Sequence, residues 1–182
     1  MNKQWTLLGG TLLACAPAGM VIAADYMTVE AAQHSAFKQA DRFEEMHITL
    51  NAQQQREVLL SAGPQPQHGK LQVFRAWLGN QSLGYVFVDE VIGRQNLITY
   101  SIAIDAQGRT GDVEILSYRE SHGGEVRNSN WRKQFAGRGN LDQLHFVTDI
   151  KNIAGATLSC EHITHGVRWL YALWQTALKE AH

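Results

Sequence analysis

The sequence predicts an α+β fold in which helices pack on a mostly antiparallel sheet. Apolar residues recur with helical spacing near both ends of the chain, whereas the middle alternates between apolar and polar residues in short runs. The turns between these runs are only a few residues long, and parallel strands need a much longer crossover. Neighbouring strands are therefore expected to pair antiparallel, as a meander with helices packed against it.

Two helices are expected in the N-terminal part of the chain. The first covers residues 26–41, with Thr28 in position to cap its N-terminus. The second covers residues 51–61 and stops at Gly63. Together they define an N-terminal helical segment, residues 25–70, that precedes the alternating region.

Strands and one long helix make up the rest of the prediction. Each predicted strand is rich in β-branched or aromatic residues and is bounded by residues that favour turns. The chain then ends in an amphipathic helix, whose apolar face is expected to pack on the sheet. The predicted elements are strands at 71–78, 82–91, 97–104 and 112–118, a short helix at 130–135, a further strand at 146–150 and the final helix at 159–179.

The N-terminus has the organisation of a secretory signal peptide. Lys3 precedes an apolar run, Pro17 interrupts it, and small residues lead up to Ala23 and Ala24. We therefore expect residues 1–24 to be a signal peptide cleaved after one of these alanines. Such cleavage places the mature protein in the periplasm or otherwise outside the cytoplasm.

A lipoprotein signal is a second interpretation of the same segment. Leu12-Leu13-Ala14-Cys15 resembles a lipoprotein cleavage box, in which Cys15 carries a lipid anchor. Both interpretations predict export. Cleavage after Ala23 or Ala24 leaves Cys160 as the one remaining cysteine, so no intramolecular disulfide is expected.

The charge of the chain bears on the class of partner. The formal net charge is −1 at pH 7, and removal of the signal peptide takes away one lysine and no acid. No nucleic-acid partner is expected, because nucleic-acid binders carry a strong basic excess. Three interpretations are open for a local basic cluster: it docks a redox partner, it lies near a bound phosphate, or it is a solvated helix face. It consists of Arg127, Arg132, Lys133 and Arg138 around Trp131.

Two loops are candidates for ligand binding. The turn Ala154-Gly155-Ala156-Thr157-Leu158-Ser159 runs directly into the final helix, where unpaired N–H groups and the helix dipole suit a phosphate. Its structural alternative is a helix start capped by Thr157 or Ser159. The second loop, residues 118–125, combines charged groups and a hydroxyl with two glycines that permit close backbone approach to a ligand. Its alternative is a flexible polar loop.

The two loops together resemble the covalent FMN-binding domain family. Gly155-Ala156-Thr157-Leu158-Ser159 matches the family's Gly-Ala-Thr-x-Ser/Thr motif, and Glu120-Ser121-His122-Gly123 is similar to its upstream Glu-Thr-Pro-Gly element. The resemblance covers about residues 80–175. Family members include the flavinylated subunits of the sodium-pumping NADH:quinone oxidoreductase and of the Rnf complex, together with small periplasmic flavoproteins.

The resemblance implies an FMN-binding-domain-like fold over residues 71–182 and an exported flavoprotein that carries electrons rather than turning over a substrate. In the family, a flavin transferase takes FAD, attaches FMN to the motif threonine through a phosphoester and releases AMP. The implied partners are this transferase and a membrane or periplasmic redox protein. The implied cofactor-binding residues are Thr157 as the attachment point, with Gly155, Ala156, Leu158, Ser159, Glu120 and Ser121.

The chain departs from the family pattern at three places. Lys151 replaces an acidic residue, Ala154 replaces a serine and His122 replaces a proline. Two other functions are therefore kept open. One is a non-covalent flavin- or anion-binding module without a redox role. The other is a periplasmic metal-binding protein that uses Cys160, His162 and His165, although no metal site is expected on the leading interpretation.

Overall fold

The computed structural model describes residues 24–66 and 69–179. Its centre is a six-stranded sheet with the order β1-β6-β5-β4-β3-β2, in which every neighbouring pair is antiparallel. The predicted α+β class and the antiparallel meander are therefore confirmed. The strands are β1 Ala24–Asp25, β2 Arg42–Met46, β3 Gln72–Leu78, β4 Gln81–Ile92, β5 Leu97–Asp105 and β6 Glu114–Tyr118.

Helices cover both faces of this sheet. Alternate residues of β4 point to opposite sides, so Tyr85 and Phe87 face one core while Val86 and Val88 face the other. The long helix α4 fills the first core together with α2, and the short helix α1 covers the second. Burial on both faces explains why β4 reads as a nearly continuous apolar run. The helices are α1 Val29–Ala36, α2 Ala52–Ala62, α3 Ser129–Arg132 and α4 Thr157–Ala177.

The N-terminal segment holds more than helices. The helix predicted over residues 26–41 is too long, because α1 ends at Ala36 and the chain then forms β2 on the sheet edge. Strand β2 was missed because its sequence, Arg-Phe-Glu-Glu-Met, is mostly charged and exposed. Charge on an edge strand is a common protection against pairing with other chains. The predicted cap at Thr28 is confirmed, since its hydroxyl accepts a hydrogen bond from Ala31 N.

Other sequence predictions differ in detail. The helix predicted at 130–135 is α3 followed by a 3₁₀ turn, and the final helix begins at Thr157 rather than at residue 159. The strand predicted at 146–150 is wrong. Phe146 and Ile150 form a single bridge across a turn, which is too short for a strand. The expected signal peptide and the lipid-anchor position Cys15 lie outside the described residues, apart from Ala24.

A close contact fixes α4 on the sheet. A Cβ placed on Gly166 would lie 2.2 Å from the Tyr100 hydroxyl, so the helix needs glycine at this point. Tyr100 in turn donates a hydrogen bond of 2.8 Å to the buried carboxylate of Asp89. The middle of α4 therefore rests directly on the sheet. In the described part of the chain, no helix combines the length and apolar character needed to cross a membrane.

Candidate functional site

The N-terminus of α4 is open. Its N-cap residue, Ala156, has no side chain that could cap the helix, and the first helical hydrogen bond runs from Cys160 N to Ala156 O. The N–H groups of the three residues between them, Thr157, Leu158 and Ser159, find no acceptor among the described residues. Three unpaired donors at the positive end of a 21-residue helix form a favourable site for an anion.

Neither hydroxyl at this turn caps the helix. The exposed Thr157 Oγ1 accepts a hydrogen bond of 3.0 Å from Asn152 Nδ2. Ser159 is buried, and its Oγ lies 3.2 Å from the Tyr118 hydroxyl. The structural alternative from the sequence, a helix capped by Thr157 or Ser159, is therefore wrong.

The remaining residues of the turn, Gly155, Ala156 and Leu158, differ in how exposed they are to solvent. Gly155 has a φ of +88°, a value that favours glycine, and a Cβ built on it would meet nothing within 4 Å. Leu158 is 45% exposed, whereas Ala156 is buried. Open space above Gly155 and beside the Thr157 hydroxyl leaves room for a ligand at the helix start.

The glycine-containing loop, residues 118–125, packs against this helix start. Gly123 adopts a φ of +83°, and a Cβ on it would lie 2.9 Å from Ser159 Oγ and 2.7 Å from the Tyr118 hydroxyl. Tyr118 also donates a hydrogen bond to the carbonyl oxygen of His122. Tyr118 thus joins strand β6, the loop and helix α4. The structure brings together two segments whose contacting residues, Gly123 and Ser159, lie 36 positions apart in the chain.

Glu120 fastens this loop to the turn between β4 and β5. Its Oε1 accepts hydrogen bonds from Gln95 N and, at 2.7 Å, from Asn96 N. Partial burial opposes ionisation, but the backbone donors of Asn96, Gln95 and Arg94 outweigh it and hold the pKa of Glu120 below its ordinary value. Ser121 Oγ lies 2.9 Å from His122 Nδ1 on the exposed side of the loop. Glu120 therefore acts first as a structural anchor of the loop.

A surface cavity of about 520 Å³ adjoins both segments. Its size lies within the range of small-molecule sites. Glu120, Ser121 and Gly155 were predicted from the sequence as cofactor-binding residues, and Tyr118 belongs to the loop predicted to bind a ligand, whereas Tyr26 was not singled out. The lining residues are Tyr26, Tyr118, the loop from Glu120 to Glu125, Arg127 and Gly155.

Lys151 does not point its charge at the helix start. Its Nζ donates hydrogen bonds to the carbonyl oxygens of Val147 and Thr148, at 3.1 and 2.9 Å. The loop that it closes is strained, since Val147 is β-branched and has a φ of +70°. The lysine thus supports the backbone before the Gly-Ala-Thr turn, and Asn152 is the polar side chain beside Thr157.

The candidate metal ligands of α4 have separate environments. Cys160 is fully buried, and burial raises the pKa of its thiol to about 11. The ring of His162 is hydrogen-bonded through Nδ1 to the Ile92 carbonyl oxygen, and His165 is exposed. Within residues 24–66 and 69–179, no three His, Cys, Asp or Glu side chains come together in a way that could hold a metal ion.

Two comparisons relate the chain to known proteins. Residues 93–172 match the family model of the FMN-binding domain. The chain is also similar to one of the subunits of a proton-translocating ferredoxin:NAD(+) oxidoreductase complex from Clostridium ljungdahlii. The two are 25% identical over 177 residues, which cover 92% of this chain and 89% of the relative.

The residues present fit FMN. The unpaired N–H groups at the start of α4 suit its phosphate, and the adjoining cavity is lined by aromatic side chains that suit a planar ring. The matched region spans β5, β6, the glycine-containing loop and the open helix start. Residues 93–172 therefore resemble the FMN-binding domain family, and the comparisons and the site together point to FMN as the cofactor.

Proposed function

We propose that this protein is an exported electron carrier whose FMN is attached to Thr157 through a phosphoester. The similar protein from Clostridium ljungdahlii belongs, by its name, to a redox complex that links ferredoxin and NAD(+). An FMN-binding domain with such a relative is a flavoprotein of electron transport. The finer points, which are the covalent bond, the export and the partners, are the substance of the proposal.

One observation supports the attachment point above all others. Thr157 is the first residue of α4, its hydroxyl is exposed, and the three N–H groups at this helix start are unpaired. A phosphate esterified to Thr157 Oγ1 would be held beside these donors, and the helix dipole would offset its negative charge. Asn152 Nδ2 donates to the same oxygen, so it fixes the hydroxyl while leaving the O–H proton free to depart.

The attachment step needs an external flavin transferase and FAD. Thr157 Oγ1 attacks the phosphorus on the flavin side of the FAD pyrophosphate, and the bond from that phosphorus to the bridging oxygen breaks. AMP leaves with the bridging oxygen, and the threonine proton is transferred to it. The products are FMN-threonine and AMP. Exposure of Thr157 and of its neighbour Leu158 makes this turn accessible to a second protein.

The chain's own residues bind and position the cofactor. Ser159 and Tyr118 lock the glycine-containing loop to the helix, and Glu120 locks the same loop to the β4–β5 turn. Bound FMN supplies the one- or two-electron chemistry, while the protein controls its orientation and electrostatics. The surface cavity leaves a flavin accessible to a partner, as an electron carrier requires.

Export and a membrane redox partner complete the proposal. The signal-peptide pattern of residues 1–24 supports an extracytoplasmic location, and a lipid on Cys15 is the alternative route to the same side of the membrane. Covalent attachment is advantageous there, since a loosely held FMN would be lost by diffusion. The relative's complex supports a membrane-associated electron donor or acceptor.

The test is in-gel fluorescence of the denatured protein. The chain is co-expressed with a flavin transferase, purified, denatured and separated on a gel under ultraviolet light. We expect fluorescence that stays with the wild-type band, is absent in Thr157→Ala and returns in Thr157→Ser. Thr148→Ala is the matched control, because it removes another exposed threonine from the preceding loop and should leave fluorescence unchanged.

Other outcomes separate the alternatives. Yellow colour that leaves the wild-type protein on denaturation would show that the flavin is bound without a covalent bond. A colourless protein that retains stoichiometric zinc would contradict both flavin proposals. Loss of fluorescence in Thr148→Ala together with retention in Thr157→Ala would show that Thr157 is not the attachment point.

A further inference from the structure

The first described residues of the chain lie at the FMN site. Strand β1 pairs with β6, so that Ala24 is opposite Tyr118 and Asp25 is opposite Ser117. The next residue, Tyr26, extends this contact, since its N–H donates to Leu116 O at 2.8 Å. Backbone pairing therefore places the Tyr26 side chain at the cavity that Tyr118 and Gly155 also line.

Tyr26 is held on one side and open on the other. The guanidinium carbon of Arg127 lies 4.6 Å from the centre of the Tyr26 ring, in a cation–π contact. Arg127 is itself anchored, because its Nε donates a hydrogen bond of 3.0 Å to Gly124 O in the glycine-containing loop. The Tyr26 side of the pair remains accessible, with 46% of the residue exposed. An exposed aromatic ring in an ordered segment is well suited to stacking on a planar ligand.

The cavity and the attachment turn are continuous. Gly155 belongs to the turn and lines the cavity, and Gly123 of the cavity wall packs on Ala156 at the start of α4. A cofactor whose phosphate is bound at Thr157 therefore has its flexible ribityl chain beside this cavity. A separate groove of about 660 Å³, lined by His162, His165 and Arg168, shares no residue with it.

We propose that Tyr26 and Arg127 form the platform on which the isoalloxazine ring of FMN rests. This inference depends on the proposed function and adds to it Tyr26, which contacts the ring, and Arg127, which packs against Tyr26 and acts on the ring through its charge. Tyr26 supplies the stacking surface, and Arg127 supplies a positive charge that favours the reduced, more electron-rich flavin. The carboxylates at the cavity are Glu120, which is bound to the β4–β5 turn, and the exposed Glu125. Arg127 therefore supplies the positive charge of the cavity wall, and Glu120 and Glu125 supply its negative charges.

The experiment measures flavin fluorescence and midpoint potential in the loaded protein. A phenol in contact with a photoexcited flavin quenches its emission by transferring an electron to it, and the electron returns afterwards. We expect several-fold higher fluorescence per bound flavin in Tyr26→Leu and in Tyr26→Phe. The phenylalanine variant should keep the visible circular dichroism of the stacked ring, whereas the leucine variant should lose it.

Arg127 is tested through the midpoint potential. Arg127→Gln should lower it, and Arg127→Lys should retain most of the wild-type value because the charge is kept. Arg42→Gln is the matched control, since it also removes an exposed arginine from an aromatic ring, that of Trp77, at the opposite edge of the sheet. Intact mass of each variant verifies that the N-terminus and the flavin content match those of the wild type.

Two failures are distinguishable. A loaded protein whose fluorescence and potential do not respond to Tyr26 and Arg127 variants overturns this inference alone, and it places the ring outside this cavity. A wild-type protein that takes up no flavin in the presence of FAD and transferase overturns the proposed function and this inference with it.

Discussion

Helices α2 and α4 begin in opposite ways. At α2, the side chain of Asn51 accepts hydrogen bonds from Gln53 N and Gln54 N, and the Gln54 side chain accepts one from Asn51 N. This is a complete capping box. At α4, the longest helix described, the N-cap is Ala156 and no side chain caps the N–H groups.

The difference extends to the backbone. Thr28 and Asn51, the N-caps of α1 and α2, have extended conformations with ψ of 163° and 171°, as side-chain caps require. Ala156 has a ψ of only 20°, so even a serine at this position would lack the usual cap geometry. Two hydroxyls lie within three residues, yet both bond elsewhere. The starts of α1 and α2 are closed by their own side chains, whereas the start of α4 is left open, as the proposed phosphate site requires.

The largest expected effect is the loss of covalent flavin when Thr157, at the start of α4, is replaced. Thr157→Ala should abolish covalent flavin and leave the free energy of unfolding of the apoprotein within about 0.5 kcal/mol of wild type, since the side chain is exposed. Flavin content by mass spectrometry and urea denaturation measure the two quantities. A large loss of stability in the apoprotein would show that Thr157 is a structural residue.

Asn152 should affect the rate of loading. Removal of its hydrogen bond to Thr157 Oγ1 in Asn152→Ala should slow flavin attachment about fivefold, as expected for a hydrogen bond worth ~1 kcal/mol. Asn152→Asp should be slower still, because a carboxylate would then stand beside the incoming phosphate. Single-turnover incorporation with FAD and transferase measures both rates. Equal rates of flavin attachment in all three proteins would show that Asn152 has no role in this step.

Asn51→Ala should show the reverse pattern to Thr157→Ala. Loss of the cap should cost about 1 kcal/mol of stability, a typical value for such caps. Flavin content should not change, because Asn51 lies in a different segment from the attachment turn. Urea denaturation and absorbance of the loaded protein test this pair of expectations. Reduced loading in this variant would mean that the contrast between the two helix starts does not separate structure from function.

The smallest effect concerns the loop anchor Glu120. Its folded pKa lies below the ordinary value of 4.5, so its ionised form contributes stability that is complete above that pH and is lost as pH falls through the folded pKa. Glu120→Gln should therefore be less stable than wild type at pH 7, by on the order of 1 kcal/mol or less. The difference should shrink as the pH falls below 4.5 and vanish once the pH is below the folded pKa, which denaturation at several pH values can measure. A difference that persists in acid would rule out the charge as its cause.

Local patterns in the sequence were sufficient for much of the fold and for choosing the turn before α4 as the candidate site. The strands of the meander alternate clearly, and Gly155 to Ser159 carries a recognisable motif. Strand β2 was missed because its edge position, not its composition, makes it a strand. Tyr26 was missed, and Tyr118 was predicted only as part of its loop, because their roles depend on pairing between distant segments. The one local signal for Tyr26 was its position two residues after the expected signal peptide.

Strand β1 has a consequence for the order of folding. Its partner residues in β6 follow more than ninety residues later in the chain, and closing so long a loop is entropically costly. The two-residue strand can pair only after β5 and β6 have formed the edge that receives it. The beginning of the chain is thus expected to be among the last parts to dock, and a newly made protein would complete its ring platform only at the end of folding.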